Sequence, residues 1–210
     1  SRKLQDKKLV AQSLNRLSLF YMIKGEHAKS IAMADEALPL YQELKDEPGQ
    51  ADIKYNLAGI HYKTENFHLG LAYLIDCLVI YKKYKDYSNI ARTEKSLGTI
   101  YEYIGDEKNA LKSYENSIEA AVLAGDANLE SNVYNPLSGM YLKKGQVKKA
   151  LDLIDKSVAM KESSGDIRGL AFALYGRGKV YTRTGCFSEA EKDLKKALKI
   201  HEDVGEKLGI

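Results

Sequence analysis

Arg92 and Lys95 stand three residues apart, as do Asn132 and Asn135, so on a helix each pair would share one face. Two cations at that spacing could hold a carboxylate, and two carboxamides can both donate to and accept from a peptide backbone. Tyr55 and Tyr175 offer rigid rings with polar tips, and Asn15 and Lys179 extend the set. These side chains suit contact with a polypeptide better than they suit the making of bonds. The residues that ordinarily carry reactions are scattered. His27, His61, His68 and His201 fall in no metal-ligating spacing, and Cys77 and Cys186 lie more than a hundred residues apart without a metal or redox pattern. No nucleophile–base constellation, Gly-rich phosphate loop or paired acidic motif occurs. The expectation is a binding protein that is not an enzyme, with no cofactor and no metal site.

The composition narrows the partner. Of 210 residues, 44% are hydrophobic and 29% charged, which describes a foldable chain and not a disordered one. A formal net charge of +3 is too small to imply a nucleic-acid surface. The basic run from Lys143 to Lys149 reads as a solvated helix face. No apolar run has the length of a membrane span and no signal peptide opens the chain, so a reduced, cytoplasmic setting is expected.

The elements that must position these side chains show themselves through repetition. LSLFYMIKG, LAGIHYKTE, LGTIYEYIG, LSGMYLKKG and RGKVYTRTG recur every 40 residues, without insertion or deletion. One column holds Leu17, Leu57, Leu97 and Leu137, and the next holds only small residues: Ser18, Ala58, Gly98, Ser138 and Gly178. An apolar column of Phe20, Ile60, Ile100, Met140 and Val180 follows, then one of Tyr21, Tyr101, Tyr141 and Tyr181 with His61 as its exception. A second small column comprises Ser30, Gly70, Ala110, Ala150 and Ala190. Spacings of three, four and seven are helical, and small residues allow two helix backbones to approach closely. Each repeat thus predicts a helix A (9–24, 50–64, 89–104, 129–144, 169–184), a Gly or Glu turn, and a helix B (27–44, 67–84, 107–124, 147–164, 187–204). A Gly-Asp or Lys-Asp turn closes each repeat.

The pattern Leu-Gly-x-x-Tyr-x-x-x-Gly followed by the Ala columns resembles the tetratricopeptide repeat. It covers nearly the whole chain, as units of approximately 9–48, 49–88, 89–128, 129–168 and 169–208 in one repeat domain over 1–210. The longer 40-residue unit is similar to a subgroup found in bacterial signalling proteins and in polarity scaffolds of the Pins type. The resemblance implies an all-α fold, a right-handed α-solenoid superhelix of stacked antiparallel helix pairs. It also implies a protein or peptide ligand held in the concave groove of a larger cytoplasmic signalling protein. Alternative roles are a constitutive scaffold or co-chaperone adaptor, or the regulatory domain of an enzyme whose catalytic part lies outside this chain.

With Ala11, Ala51, Ala91, Ser131 and Ala171 as position 1, packing takes positions 1, 7, 8, 10 and 11. Positions 2, 5, 9 and 12 form a second stripe, which the family geometry places on the concave surface. Asn15, Tyr55, Arg92, Lys95, Asn132, Asn135, Tyr175 and Lys179 all belong to it and are the expected peptide-binding residues. Pro136 should kink helix A of the fourth repeat, and Arg177, in the leucine column, should snorkel to the surface. Gln5-Asp6 aligns with the later Lys-Asp turns, and residues 205–210 align with the opening of a further helix A, so a fragment of a longer array is expected. Ala190, Leu194, Ala197 and Leu198 keep the interior pattern, which predicts self-association through residues 187–210.

Overall fold

The computed structural model describes residues 2–205. Those residues form ten α-helices and no strand: α1 (Arg2–Ile23), α2 (His27–Glu43), α3 (Glu47–Lys63), α4 (Phe67–Lys83), α5 (Tyr87–Tyr103), α6 (Glu107–Ala124), α7 (Ala127–Lys143), α8 (Val147–Ser164), α9 (Ile167–Thr184) and α10 (Phe187–Asp203). Odd-numbered helices are the A helices of the repeats and even-numbered ones the B helices.

The turns explain why the helices stop where they do. Gly25, Gly105, Gly145 and Gly185 turn A into B with φ between 73° and 83°, and Gly125 and Gly165 turn B into A. Lys45, Glu65 and Lys85 adopt the same left-handed conformation at φ 53–59°, without glycine's freedom. After each of these residues but Gly165 a backbone N–H reaches back to the last turn, as from Asp46 to the Tyr41 carbonyl at 2.9 Å, which satisfies an otherwise orphaned acceptor.

Helices α3, α5, α7 and α9 begin two or three residues before the expected positions, and the capping aspartates supply the reason. Asp46, Asp86 and Asp166 accept the backbone N–H three residues on, at 2.9–3.1 Å, and Asp126 accepts from both Asn128 and Leu129. The aspartate read as part of a turn is therefore the N-cap of the helix that follows. At Gln5-Asp6 no turn forms: α1 runs unbroken from Arg2, because Gln5 stays helical where its counterparts adopt positive φ. The expected opening of a further helix A at 206–210 lies outside the described residues. Pro39 and Pro136 both sit within unbroken helices, and Pro136 leaves the Asn132 carbonyl without its helical donor.

The chain clusters into two compact units, Ser1–Asp106 and Glu107–Ile210. In the first, α1 packs on α2, α2 on α3, α3 on α4 and α4 on α5. In the second, α6 packs on α7, α7 on α8, α8 on α9 and α9 on α10. The two small columns meet where paired helices cross. Ser18 lies against Ser30, a hydroxyl of Ser138 donates to the Ala150 carbonyl at 2.8 Å, and a Cβ on Gly178 would strike Leu194 at 2.7 Å.

The leucine column departs from its expected chemistry at both ends. Leu57, Leu97 and Leu137 are buried, but Leu17 is 42% exposed, because no B helix among the described residues precedes α1 and covers it. Arg177 does not snorkel. Its guanidinium is largely buried between two carboxylates, bonding Asp193 at 2.6 and 3.0 Å and Asp155 at 2.9 Å. Asp193 is itself buried, so the pair replaces an apolar contact of the other repeats by a charged one. In α10, Ala190 and Ala197 are buried while Leu198 is 44% exposed, so part of the supposed open end is covered by α9.

Candidate binding surface

Position 5 of the A helices, which supplies five of the eight expected binding residues, is spent between repeats in three of them. In the first unit the Asn56 amide of α3 donates to the Asn15 carboxamide oxygen of α1 at 2.6 Å. One repeat later the Tyr55 hydroxyl meets the Ser96 hydroxyl of α5 at 3.1 Å. In the second unit the Asn135 amide donates to the Phe172 carbonyl at 3.2 Å, and its oxygen lies so close to Gly176 that a Cβ there would sit 2.2 Å away. Each position-5 side chain in these three pairs thus reaches the next A helix at or near its position 6. Asn56 and Ser96 at that position were missed by the sequence reading, which looked for what packing leaves over and not for polar ladders.

The first unit has a polar recess of about 390 Å³ on this stripe, lined by Lys8, Gln12, Asn15 and Arg16 from α1 and by Asp46 and Asp52. Cations thus line one wall and carboxylates the other. Lys8 and Asp46 pair at 3.3 Å. Asp52 accepts from the Tyr81 hydroxyl at 2.8 Å. Its carboxyl is held above the usual aspartate range, first by desolvation beneath its neighbours, although the residue itself reaches solvent at the recess mouth. The Tyr41 phenol at the base is also pushed up by burial, an effect its bond to Asn15 partly offsets. A recess with both signs of charge and the Gln12 carboxamide can take a peptide backbone together with charged side chains.

The remaining stripe residues divide by unit. Arg92 is exposed on α5, and Lys95 is half-buried one turn on. In the second unit Asn132 is half-buried on α7 and Tyr175 is exposed on α9, with the Lys179 ammonium 5.7 Å above its ring. Phe172, also exposed, lies one turn before Tyr175, so α9 presents an aromatic rail ending in a cation. In the basic run, Lys149 lies over the Tyr141 ring at 4.1 Å and bonds its hydroxyl, and Lys144 pairs with Glu107. Among the described residues no three His, Cys, Asp or Glu side chains are grouped to hold a metal ion, and no helix is long and apolar enough to cross a membrane.

Comparison with known proteins agrees with this geometry. Models of the tetratricopeptide repeat match residues 10–44, 49–122 and 129–203. Response regulator aspartate phosphatase A of Bacillus subtilis (strain 168) is 23% identical over 166 residues, which is 79% of this chain and 44% of that protein. The chain therefore spans less than half the length of that relative. Among solved structures, BtubC from P. vanneervenii superposes with a TM-score of 0.79 at 18% identity, over 100% of this chain and 93% of that one. A Rap protein in complex with Competence and Sporulation Factor gives 0.79 at 16% identity, over 92% of this chain and 54% of that one. With all five repeats falling within the matched segments and the helix pairs stacked through their small columns, the chain belongs to the tetratricopeptide repeat family.

Proposed function

We propose that the chain is a protein- or peptide-binding module, the sensor or interaction region of a larger cytoplasmic signalling protein. The polar recess beside Asn15 and Asp52 carries this reading, because it gathers carboxylates, cations and amide groups in one concavity of the first unit. In the first unit Asn15, Tyr55, Arg92 and Lys95 contact the ligand. In the second, Asn132, Asn135, Tyr175 and Lys179 do so. The position-5 residues serve twice, bracing adjacent A helices and facing the ligand. The signalling role is supported by the likeness to a response regulator aspartate phosphatase and to a Rap protein that binds a factor.

The test starts from a displayed library of random peptides panned against the chain, followed by calorimetry of the enriched sequences. Arg92→Ala and Lys179→Ala change exposed side chains and should weaken binding by about 1–3 kcal/mol each while the melting temperature holds. Asn135→Ala is less informative, because it also cuts the tie to Phe172. Unchanged affinity in the double variant would move the site off the stripe, and a library that yields no binder would remove the reading altogether.

A further inference from the structure

Asp52 and Arg92 occupy position 2 of consecutive A helices, α3 and α5, and both are exposed. They are the only charged residues of that column, which elsewhere holds Gln12, Asn132 and Phe172. Opposite charges one repeat apart would be expected to bridge their helices. They do not: neither side chain takes part in an ion pair among the described residues.

The two helices are tied one turn further on instead. The Ser96 hydroxyl of α5 donates to the Arg92 carbonyl at 3.0 Å, and a hydroxyl has one proton to give. In the 3.1 Å contact between Tyr55 and Ser96 the tyrosine is therefore the donor. Its proton is spent there, so toward anything else the Tyr55 oxygen can only accept.

Around Asp52 the chain supplies no cation. The Tyr81 hydroxyl donates to its carboxylate at 2.8 Å and fixes one oxygen. Desolvation works against the charge, as do the carboxylates of Asp86 and Asp46, and Lys8 across the recess is already paired with Asp46. Arg92 is the opposite case, a guanidinium with five donors and no acidic partner among the described residues. Complementary charge is thus a cation at one place and an anion at the other. Packed helices lie about 10 Å apart and an extended chain advances about 3.3 Å per residue, so the two places are roughly three peptide residues apart.

On the peptide-binding reading of this stripe, we infer that the first unit selects an extended peptide by a charge pair. A basic side chain of the peptide meets Asp52, and an acidic one three residues along meets Arg92. The peptide crosses from α3 to α5 past the Tyr55 oxygen, to which one of its backbone N–H groups donates. Neither charge is neutralised within the fold, so both are left to read the ligand.

Panning a displayed library of random peptides against the wild type, Asp52→Asn and Arg92→Glu tests this. Both positions are exposed, and Asp52→Asn keeps an oxygen for Tyr81, so circular dichroism should show both variants folded. The wild type should enrich sequences with Lys or Arg and, three positions away, Asp or Glu. Asp52→Asn should lose the basic preference alone, and Arg92→Glu should turn the acidic preference basic. In calorimetry, a peptide enriched by the wild type should bind Arg92→Glu about tenfold to a hundredfold more weakly. Changing that peptide's acidic residue to Lys should restore the affinity. Binders without the charge pair, or the same sequences enriched by the wild type and Arg92→Glu, overturn the charge-pair selection and leave peptide binding standing. A library that yields no binder to any of the three proteins overturns both.

Discussion

Ser18 and Ser30 clasp each other across the α1–α2 crossing, each hydroxyl donating to the other's backbone carbonyl, at 2.9 and 2.5 Å. Side chains this short can reach the opposite main chain only when the helix backbones nearly touch. Both residues are fully buried, so the bonds are shielded from water. Ser18→Ala should cost about 1 kcal/mol through the lost hydrogen bond. Ser30→Leu should cost more, about 1–3 kcal/mol, because the crossing has no room for added methylenes. Urea unfolding of the two variants checks the order.

The Arg177–Asp193 pair predicts a non-additive result. Arg177→Leu restores the leucine column but strands the buried Asp193 carboxylate, which should cost roughly 3–5 kcal/mol. In the fourth repeat the same two positions are Leu137 and Leu153. Arg177→Leu combined with Asp193→Leu should therefore recover most of the loss. A double variant as unstable as the single one would show that the loss comes from something other than the stranded charge.

Acid should loosen the α8–α9 junction. The Lys161 ammonium, almost wholly buried, bonds Asp166 at 2.7 Å, and that bond, then the Gly169 amide, holds the Asp166 carboxyl below the usual aspartate range. A lowered folded value means the stabilisation is complete above the unfolded aspartate range. It falls away as the pH drops through that range and is gone once the lowered folded value is passed. Asp166→Asn, which can still cap α9, should cost about 3 kcal/mol at neutral pH by unpairing the buried Lys161. It should also flatten this stretch of the stability–pH curve. Urea midpoints measured from neutral to strongly acidic pH provide the readout.

The three turns without glycine are sites of easy gain. Lys45, Glu65 and Lys85 hold a left-handed backbone that costs an L-residue about 1–2 kcal/mol, whereas glycine there costs only its extra unfolded-state entropy. Each substitution to glycine should therefore stabilise by about 0.5–1 kcal/mol. Thermal melting of the triple variant should show the sum, because the three turns are well separated.

The fold was legible because close helix crossings demand small residues, and the Ser18 and Ser30 columns display that demand at a fixed period. What the columns could not display was their neighbours. Leu17 has the same chemistry as Leu57 but, among the described residues, no preceding helix over it, and burial belongs to the pair of helices and not to the residue. Arg177 looked like a lone misfit because its partners Asp155 and Asp193 lie on other helices, 22 and 16 residues away. The helix starts were read late because an aspartate after glycine serves equally as a turn residue or a cap. The stripe was visible as a periodicity, but the Asn15–Asn56 and Tyr55–Ser96 ties depend on how consecutive A helices face each other, which no single helix encodes.

The two cysteines, unremarkable as chemistry, differ sharply in reach. Cys77 is fully buried and its thiol is pushed up to about 12, chiefly by burial, so almost no thiolate forms at neutral pH. Cys186 is exposed and caps α10, immediately before Phe187 on the rim of a recess between α9 and α10. On this chain a maleimide dye therefore reacts at Cys186, where its fluorescence reports on the surroundings of the α9–α10 recess.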